Sequence, residues 1–240
     1  MLMKRITPNI VPKISKIVRH LQTVAQSKKV YTNVPANFVF SKGFHDPEQH
    51  ENRESIVNSM LVHADFLTEV EENSIFGEIE PYLKRMRYEY DHWDNAIHGF
   101  RETERVNWNK ENTCILDRVR NLAFPAGVNP LRFVHILDLD EKGYIKPHID
   151  AIRFCGDTIA GLSLLTDSVM RLVHDKNKDL SVDILLKRRS LYIMKGTARF
   201  DYTHEILGNE HSKFNGETVL KTRRISVICR NEPDPENTKL

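Results

Sequence analysis

From residue 131 onward, apolar and polar residues alternate in short β-branched runs, each stopped by a polar or glycine-containing turn. Successive side chains of a strand point to opposite faces, so this alternation marks strands with one buried face. The runs predict strands near 131–139, 144–149, 158–165, 168–174, 180–186, 190–195, 200–206 and 223–229. Eight short strands at this spacing point to a barrel or a double-sheet jelly roll rather than alternating βαβ units. Before residue 131 the period lengthens. Thr68 and Glu71 form a capping-box pair, and Val70, Ile75, Phe76, Ile79, Leu83 and Met86 follow at roughly helical spacing, with Pro81 placed to kink or divide the helix. Ile115, Val119 and Leu122 share a face of a second helix over 107–123. Between the two helices, YEYDHWDNAIHGFRETER (88–105) has no clear period.

Composition narrows the class. The chain has 240 residues, 40% hydrophobic and 28% charged, which is ordinary for a globular protein with a real core. No apolar run approaches the roughly 20 residues that cross a bilayer. Cys114, Cys155 and Cys229 are scattered with no CxxC pair, which argues against a disulfide framework or a thiolate zinc site and for a reducing compartment.

Charge is unevenly placed. Residues 1–45 hold eight basic residues and no acidic one, and the remainder holds 27 basic against 33 acidic residues. Ile14, Ile17, Val18, Leu21, Val24 and Ala25 recur at helical spacing within that basic stretch. A basic, acid-free, amphipathic N-terminus is the composition of a mitochondrial transit peptide; a solvated basic arm or membrane-surface helix is the alternative. The expected organisation is a transit peptide and basic arm over 1–45, a catalytic domain over 46–230 (helical part 66–125, β part 131–230), and a flexible tail, NEPDPENTKL, over 231–240.

In GYIKPHIDAIRFCG (143–156), His148 and Asp150 stand at i and i+2 and project from one strand face. Two such ligands and one further histidine make the 2-His-1-carboxylate set of non-haem Fe(II) oxygenases. Among eleven histidines one HxD match is close to chance, so the third ligand matters. His204 in FDYTHEIL is the best candidate, and His174 in RLVH is the other strand-borne one. RRISVICR (223–230) sets Arg224, Ser226, Ile228 and Arg230 on one face of an otherwise apolar strand. Buried arginine is costly unless an anion meets it, and a guanidinium binds carboxylate bidentately. Six residues of strand span about 20 Å, so the two arginines serve different ends of a site.

HxD, then His, then RxxxxxR in that order resembles the AlkB family of Fe(II)/2-oxoglutarate dioxygenases. RMRYEYDHWDNAIHGFRETE (85–104), residues 143–165, SVMRLVH, SLYIMKGTARFDYTHEIL and RRISVICR are similar to its mitochondrial AlkB homologue seven branch, over about residues 66–230. The resemblance implies a mainly β fold with flanking helices (α+β): a double-stranded β-helix, or jelly roll, with N-terminal helices packed on the major sheet. It implies one Fe(II) per chain on His148, Asp150 and His204. It also implies 2-oxoglutarate on Arg224 and Arg230, with Tyr192 donating a hydrogen bond, Ser226 a further contact, and O₂ as co-reactant. His174 then reverts to an ordinary strand residue. Many AlkB proteins carry Asn-x-Tyr on the strand before HxD, where this chain has His135 and Leu137.

The implied chemistry is conversion of 2-oxoglutarate to succinate and CO₂, coupled to hydroxylation of a C–H bond. If that carbon is an N-methyl group, formaldehyde leaves and the reaction is a demethylation. The acidic balance beyond residue 45 argues against an extensive phosphate footprint, and the path from the 107–123 helix to residue 131 is short for a base-gripping lid. Trp93, His98 and Arg101 in 88–105 either line the substrate approach or pack structurally. The branch is linked to alkylation-induced programmed necrosis and fatty-acid metabolism. The expectation is a mitochondrial matrix dioxygenase acting on a protein. The alternatives are a demethylase of mitochondrial RNA or DNA, and a regulatory module that binds iron and 2-oxoglutarate with little turnover.

Overall fold

The computed structural model describes residues 34–90 and 95–238. The amphipathic stretch within residues 1–33 and Trp93 lie outside them. Strand β1 (Phe38–Phe40) opens the described chain, followed by two 3₁₀ turns, helix α1 (His50–Ser59), β2 (Met60–His63), α2 (Glu69–Leu83), β3 (Ile97–Arg105) and α3 (Lys110–Ala123). The β part then runs β4 (Val134–His148), β5 (Ile159–Leu164), β6 (Ser168–His174), β7 (Ser181–Leu186) and β8 (Leu191–Met194). Helix α4 (Gly196–Phe200) precedes β9 (Tyr202–Ile206), the small hairpin β10 (Lys213–Phe214) and β11 (Glu217–Thr218), and β12 (Arg224–Arg230).

The strands follow the order β1-β7-β6-β9-β4-β12-β5-β8-β2, with β3 beside β4. Each recorded pairing is antiparallel. The first half of β4 pairs with β3 and β12, and its second half pairs with β9 at Ile145 and His148. One strand thus passes from the major layer (β3, β4, β12, β5, β8, β2) into the minor one (β4, β9, β6, β7, β1), giving the double-stranded β-helix. The two strands expected at 131–139 and 144–149 are one, because β3 accompanies β4 through both halves. The register slips between His98 and Phe100, where Gly99 has φ +65°. A Cβ on Gly143 would lie 2.4 Å from the Gly99 carbonyl oxygen, so two backbones touch where β4 bends. Lys221 is buried and donates to the carbonyls of Asp140 and Glu141 at 2.8 Å each, tying the approach to β12 to that bend.

Parity divides the major layer. Ile225, Val227, Cys229, Ala160, Leu162, Leu191 and Ile193 face a core shared with Ile75, Ile79, Leu83, Leu116 and Val119 of the helices. Helix α2 starts on the expected capping box: Glu71 N donates to Thr68 Oγ1 (3.2 Å), and Thr68 N donates to Glu71 Oε2 (2.8 Å). Pro81 does not divide it. It falls in the last turn, where the missing N–H deprives only the Gly77 carbonyl.

Strands β1, β2 and β3 and helix α1 have no clear sequence period. Strand β3 reads as charged because its buried partner is itself charged: Arg101 Nε donates to Asp138 at 2.7 Å. Asp138 is fully buried and also takes Arg223 Nη2 at 2.8 Å, while Arg223 reaches Glu80 at 2.6 Å. Two boundaries shift. Strand β1 pairs with β7, so the sheet begins ahead of residue 46. The tail is tied down at its start: Thr158 N donates to Asn231 Oδ1 (2.8 Å), and Glu232 N donates to the Asn129 carbonyl (2.9 Å).

Candidate metal centre and its cavity

The face of the major layer turned away from the helices lines a cavity of about 600 Å³. The same parity that buries Ile225 and Val227 sends Arg224, Ser226, Ile228 and Arg230 into it, joined by Tyr192, His135 and Leu137. At one end stand His148, Asp150 and His204, whose candidate ligand atoms all lie within 4.8 Å of one another. His148 and His204 oppose each other in the β4–β9 register, with ring centroids 4.2 Å apart. Strand β4 ends at His148, so Asp150 sits in the following loop rather than within the strand as expected. Its Oδ1 nevertheless lies 3.2 Å from His148 Nε2 and 3.8 Å from His204 Nε2.

Protonation makes this trio a cation site. His148 Nδ1 lies 2.9 Å from the Lys146 carbonyl, a contact that places the ring proton on Nδ1. The Nε2 lone pair then faces a carboxylate oxygen, a repulsive pairing unless a cation stands between them. Burial, then the neighbouring His148, push the His204 pKa down to about 3, so its imidazole is neutral at physiological pH. Burial alone would raise the Asp150 carboxyl. The neighbouring His148, His204 and Arg230 outweigh it and hold Asp150 well below the usual carboxylate range. Arg230 Nη2 stands 3.7 Å from Asp150 Oδ2. Two neutral imidazoles and one carboxylate are the donor set that suits Fe(II).

Arg224 occupies the other end. It is 1% exposed, and no carboxylate lies within ion-pair distance of it among the described residues. Its guanidinium donates to three hydroxyls instead: Ser168 Oγ (3.0 Å), Ser163 Oγ (3.2 Å) and Ser226 Oγ. Burial pushes its pKa down, and a neutral cradle orients the charge without cancelling it. An anion entering the cavity supplies what is missing. Tyr192 lies 5% exposed on the same wall, directly across from Gly161. A Cβ on Gly161 would sit 2.4 Å from the Tyr192 ring, so only glycine leaves that ring its place. The residues present fit a dicarboxylate that spans from the serine cradle to the His–Asp–His end.

Other positions fall elsewhere. His174 accepts from the backbone N–H groups of Lys176 and Asn177 and packs edge-on against Tyr202, apart from the trio. His98 stacks on Tyr144 and Arg101 is committed to Asp138, so neither lines the cavity. From the aperiodic segment, Ala96, Ile97, Glu102, Thr103 and Glu104 line it instead. His135 holds Glu102 through Nε2 at 2.8 Å. Sequence reasoning passes over Ser163 and Ser168, although Ser163 is the lone polar residue of IAGLSL and stands opposite Ser226 in register. It also passes over Arg199, fully buried, with Nη2 3.4 Å from the Sγ of the cavity residue Cys155.

Comparison with known proteins gives four findings. Residues 84–230 match the family model of the 2OG-Fe(II) oxygenase superfamily. The chain is 53% identical over 174 residues to the mouse alpha-ketoglutarate-dependent dioxygenase alkB homolog 7, mitochondrial, covering 72% of this chain and 79% of that one. The protein of the same name from Bos taurus is 52% identical over 177 residues, covering 74% of this chain and 80% of the relative. Among solved structures, a Pseudomonas putida prolyl-4-hydroxylase shares the fold with a TM-score of 0.53 at 13% identity, over 75% of this chain and 96% of that one.

Proposed function

The chain belongs to the 2OG-Fe(II) oxygenase superfamily, and to its mitochondrial AlkB homologue seven branch, and from that premise we propose that it hydroxylates a side chain of a protein in the mitochondrial matrix. The protein is a mitochondrial dioxygenase that uses Fe(II), 2-oxoglutarate and O₂. No helix among the described residues is long and apolar enough to cross a membrane. In this reading His148, Asp150 and His204 hold one Fe(II). When bound there with 2-oxoglutarate and O₂, the metal supplies the oxidising power that hydroxylates a C–H bond as 2-oxoglutarate becomes succinate and CO₂.

The chain's own part is positioning. The Lys146 carbonyl holds His148 in the tautomer whose Nε2 can ligate, and burial keeps His204 neutral. Arg230 steadies Asp150 from its second oxygen and would meet a cosubstrate carboxylate bound at that end. Arg224, set by Ser163, Ser168 and Ser226, would take the remote carboxylate, and the Tyr192 hydroxyl on the same wall would add a hydrogen bond. The apolar residues Ile159, Met170 and Ile206 line the same cavity and limit water around the reacting carbon.

The observation that carries a protein substrate is the shortness of the connections beside the mouth. Residues 124–133 join α3 to β4, and residues 149–158 join β4 to β5. Enzymes that act on a flipped base grip it from above by stacking, and such a grip needs a larger lid. The acidic balance beyond residue 45 supports the same reading. The role that accompanies it, carried over from the branch resemblance, is in alkylation-induced programmed necrosis and fatty-acid metabolism.

The test is incubation of purified protein with Fe(II), 2-oxoglutarate and a mitochondrial matrix extract, beside a His148→Ala variant. Succinate formation and a mass gain of one oxygen on a matrix protein, both lost in the variant, are expected. Formaldehyde release from N-methylated RNA with no oxidised protein would overturn the reading.

A further inference from the structure

We propose that the hydroxylated residue is cationic, a lysine or arginine of the partner protein, read by Glu102 and Glu104 beneath an aromatic rim. The inference rests on the protein-hydroxylase reading and names its substrate class. The cavity is polarised. Among the described residues, both arginines that line it, Arg224 and Arg230, come from β12, and both glutamates come from β3. Glu102 and Glu104 share one strand face, opposite Leu137 and His135 of β4. Strand β4, which carries His148, runs between the two charged walls. Neighbouring strands lie about 4.8 Å apart, so the glutamates stand about 10 Å from the arginine strand.

An anionic cosubstrate is drawn to the arginine wall and repelled from the other, which leaves the β3 side for a group of opposite charge. Among the described residues no lysine or arginine lines that side. His135 shares Glu102 through Nε2, and Glu104 at the outer end is exposed. At the mouth Phe133 and Phe154 line the cavity while 54% and 56% exposed. Two half-bare rings on a cavity rim mark a surface that something covers. A phenyl face also attracts cations. The Phe154 ring already carries one, the Arg153 guanidinium, 4.6 Å from its centroid. Arg153 and Arg132 flank the rim but do not line the cavity.

A lysine or arginine suits this arrangement because its charged head ends a long aliphatic stem. With the head against Glu104 and the stem between the rings, a methylene is the carbon that approaches the His–Asp–His end. In the reaction one oxygen atom of O₂ enters that C–H bond as hydroxyl. The other enters succinate as 2-oxoglutarate loses CO₂.

The experiment uses the purified, iron-loaded enzyme and a panel of otherwise identical blocked peptides carrying lysine, arginine, citrulline, norleucine or glutamate, with 1-methyladenosine as a separate probe. Succinate formation and peptide mass are read together. The basic peptides should be hydroxylated with kcat/KM at least about tenfold above their neutral counterparts, and Glu104→Gln should cut that preference about tenfold through KM. Because Glu104 is exposed, Glu104→Lys should fold and should turn the preference toward the glutamate peptide. Equal use of neutral peptides, use of none, or a preference untouched by Glu104→Gln overturns the charge assignment. Protein hydroxylation then still stands or falls on the extract experiment. Demethylation of 1-methyladenosine with every peptide inert overturns both.

Discussion

Adding one methyl group at Gly161 should disable cosubstrate binding while leaving every charged group in place. An alanine Cβ there would fall 2.4 Å from Tyr192 Cε1, 2.5 Å from Cζ and 2.6 Å from the hydroxyl oxygen. Carbon atoms in contact sit about 3.5–4.0 Å apart, so the ring must move by more than about 1 Å. Tyr192 is 5% exposed on a central strand and flanked by packed neighbours, which leaves the cavity as the direction of retreat. Overpacking of this kind costs about 1–3 kcal/mol in stability. The larger effect is on function. A hydrogen bond to a charged carboxylate is worth about 1.5–3 kcal/mol, so a displaced hydroxyl should raise the 2-oxoglutarate Kd by about 10- to 100-fold. Titration calorimetry with Mn(II) in place of iron measures Kd without turnover, and thermal denaturation follows stability in parallel. In a Tyr192→Ala background there is no ring to displace, and Gly161→Ala should then cost little. A Gly161→Ala protein with normal Kd, or an equal penalty in the Tyr192→Ala background, would refute the reasoning.

Three further outcomes are expected. Asp138→Asn removes the fully buried carboxylate that pairs with Arg101 and Arg223, and urea unfolding should show a loss of about 3–5 kcal/mol; a loss under 1 kcal/mol would mean the pair is solvated. Lys221 has its pKa pushed down to about 8 by burial, from 10.5. Between those values the unfolded chain binds the extra proton, so relative to Lys221→Met stability should rise with pH from about 8 to 10, by at most about 1.4 kcal/mol per unit, and a flat or falling difference contradicts the burial argument. Mn(II) added anaerobically at 100 times its Kd should stabilise the protein by about 2.7 kcal/mol, and that thermal shift should vanish in Asp150→Ala. A shift that survives in the variant places the metal elsewhere.

What can be read from the sequence follows strand parity. Strands β5, β8 and β12 bury one face against helices, and Val169 of β6 and Leu185 of β7 pack in a second apolar cluster, so these strands are legible and the bounds of β5 to β9 and β12 fall within a few residues of expectation. The same parity groups Arg224, Ser226 and Arg230 and sets His148 near His204. Strand β3 is hidden because its inward residue Arg101 meets a buried Asp138, a pairing that only tertiary contact creates. Ser163 and Ser168 are silent for a related reason: a buried serine matters only once a guanidinium is known to stand over it. Helix α1 has two buried residues, Ile56 and Ser59, too few to print a period.

Strand β4 has a further consequence. Leu137 and His135 near its start face the cosubstrate wall, and His148 at its end faces the metal, so one covalent strand works as a ruler between them. A ruler of this kind has a reading frame. Inserting one uncharged residue between Asp140 and Gly143 would preserve charge and nearly all of both layers, yet it would turn His148 to the far side of the strand. The bend is pinned by the Gly99–Gly143 contact and by Lys221, which makes such slippage expensive. Among homologous chains, length variation should therefore collect in the connections beside the mouth and be absent from the bend.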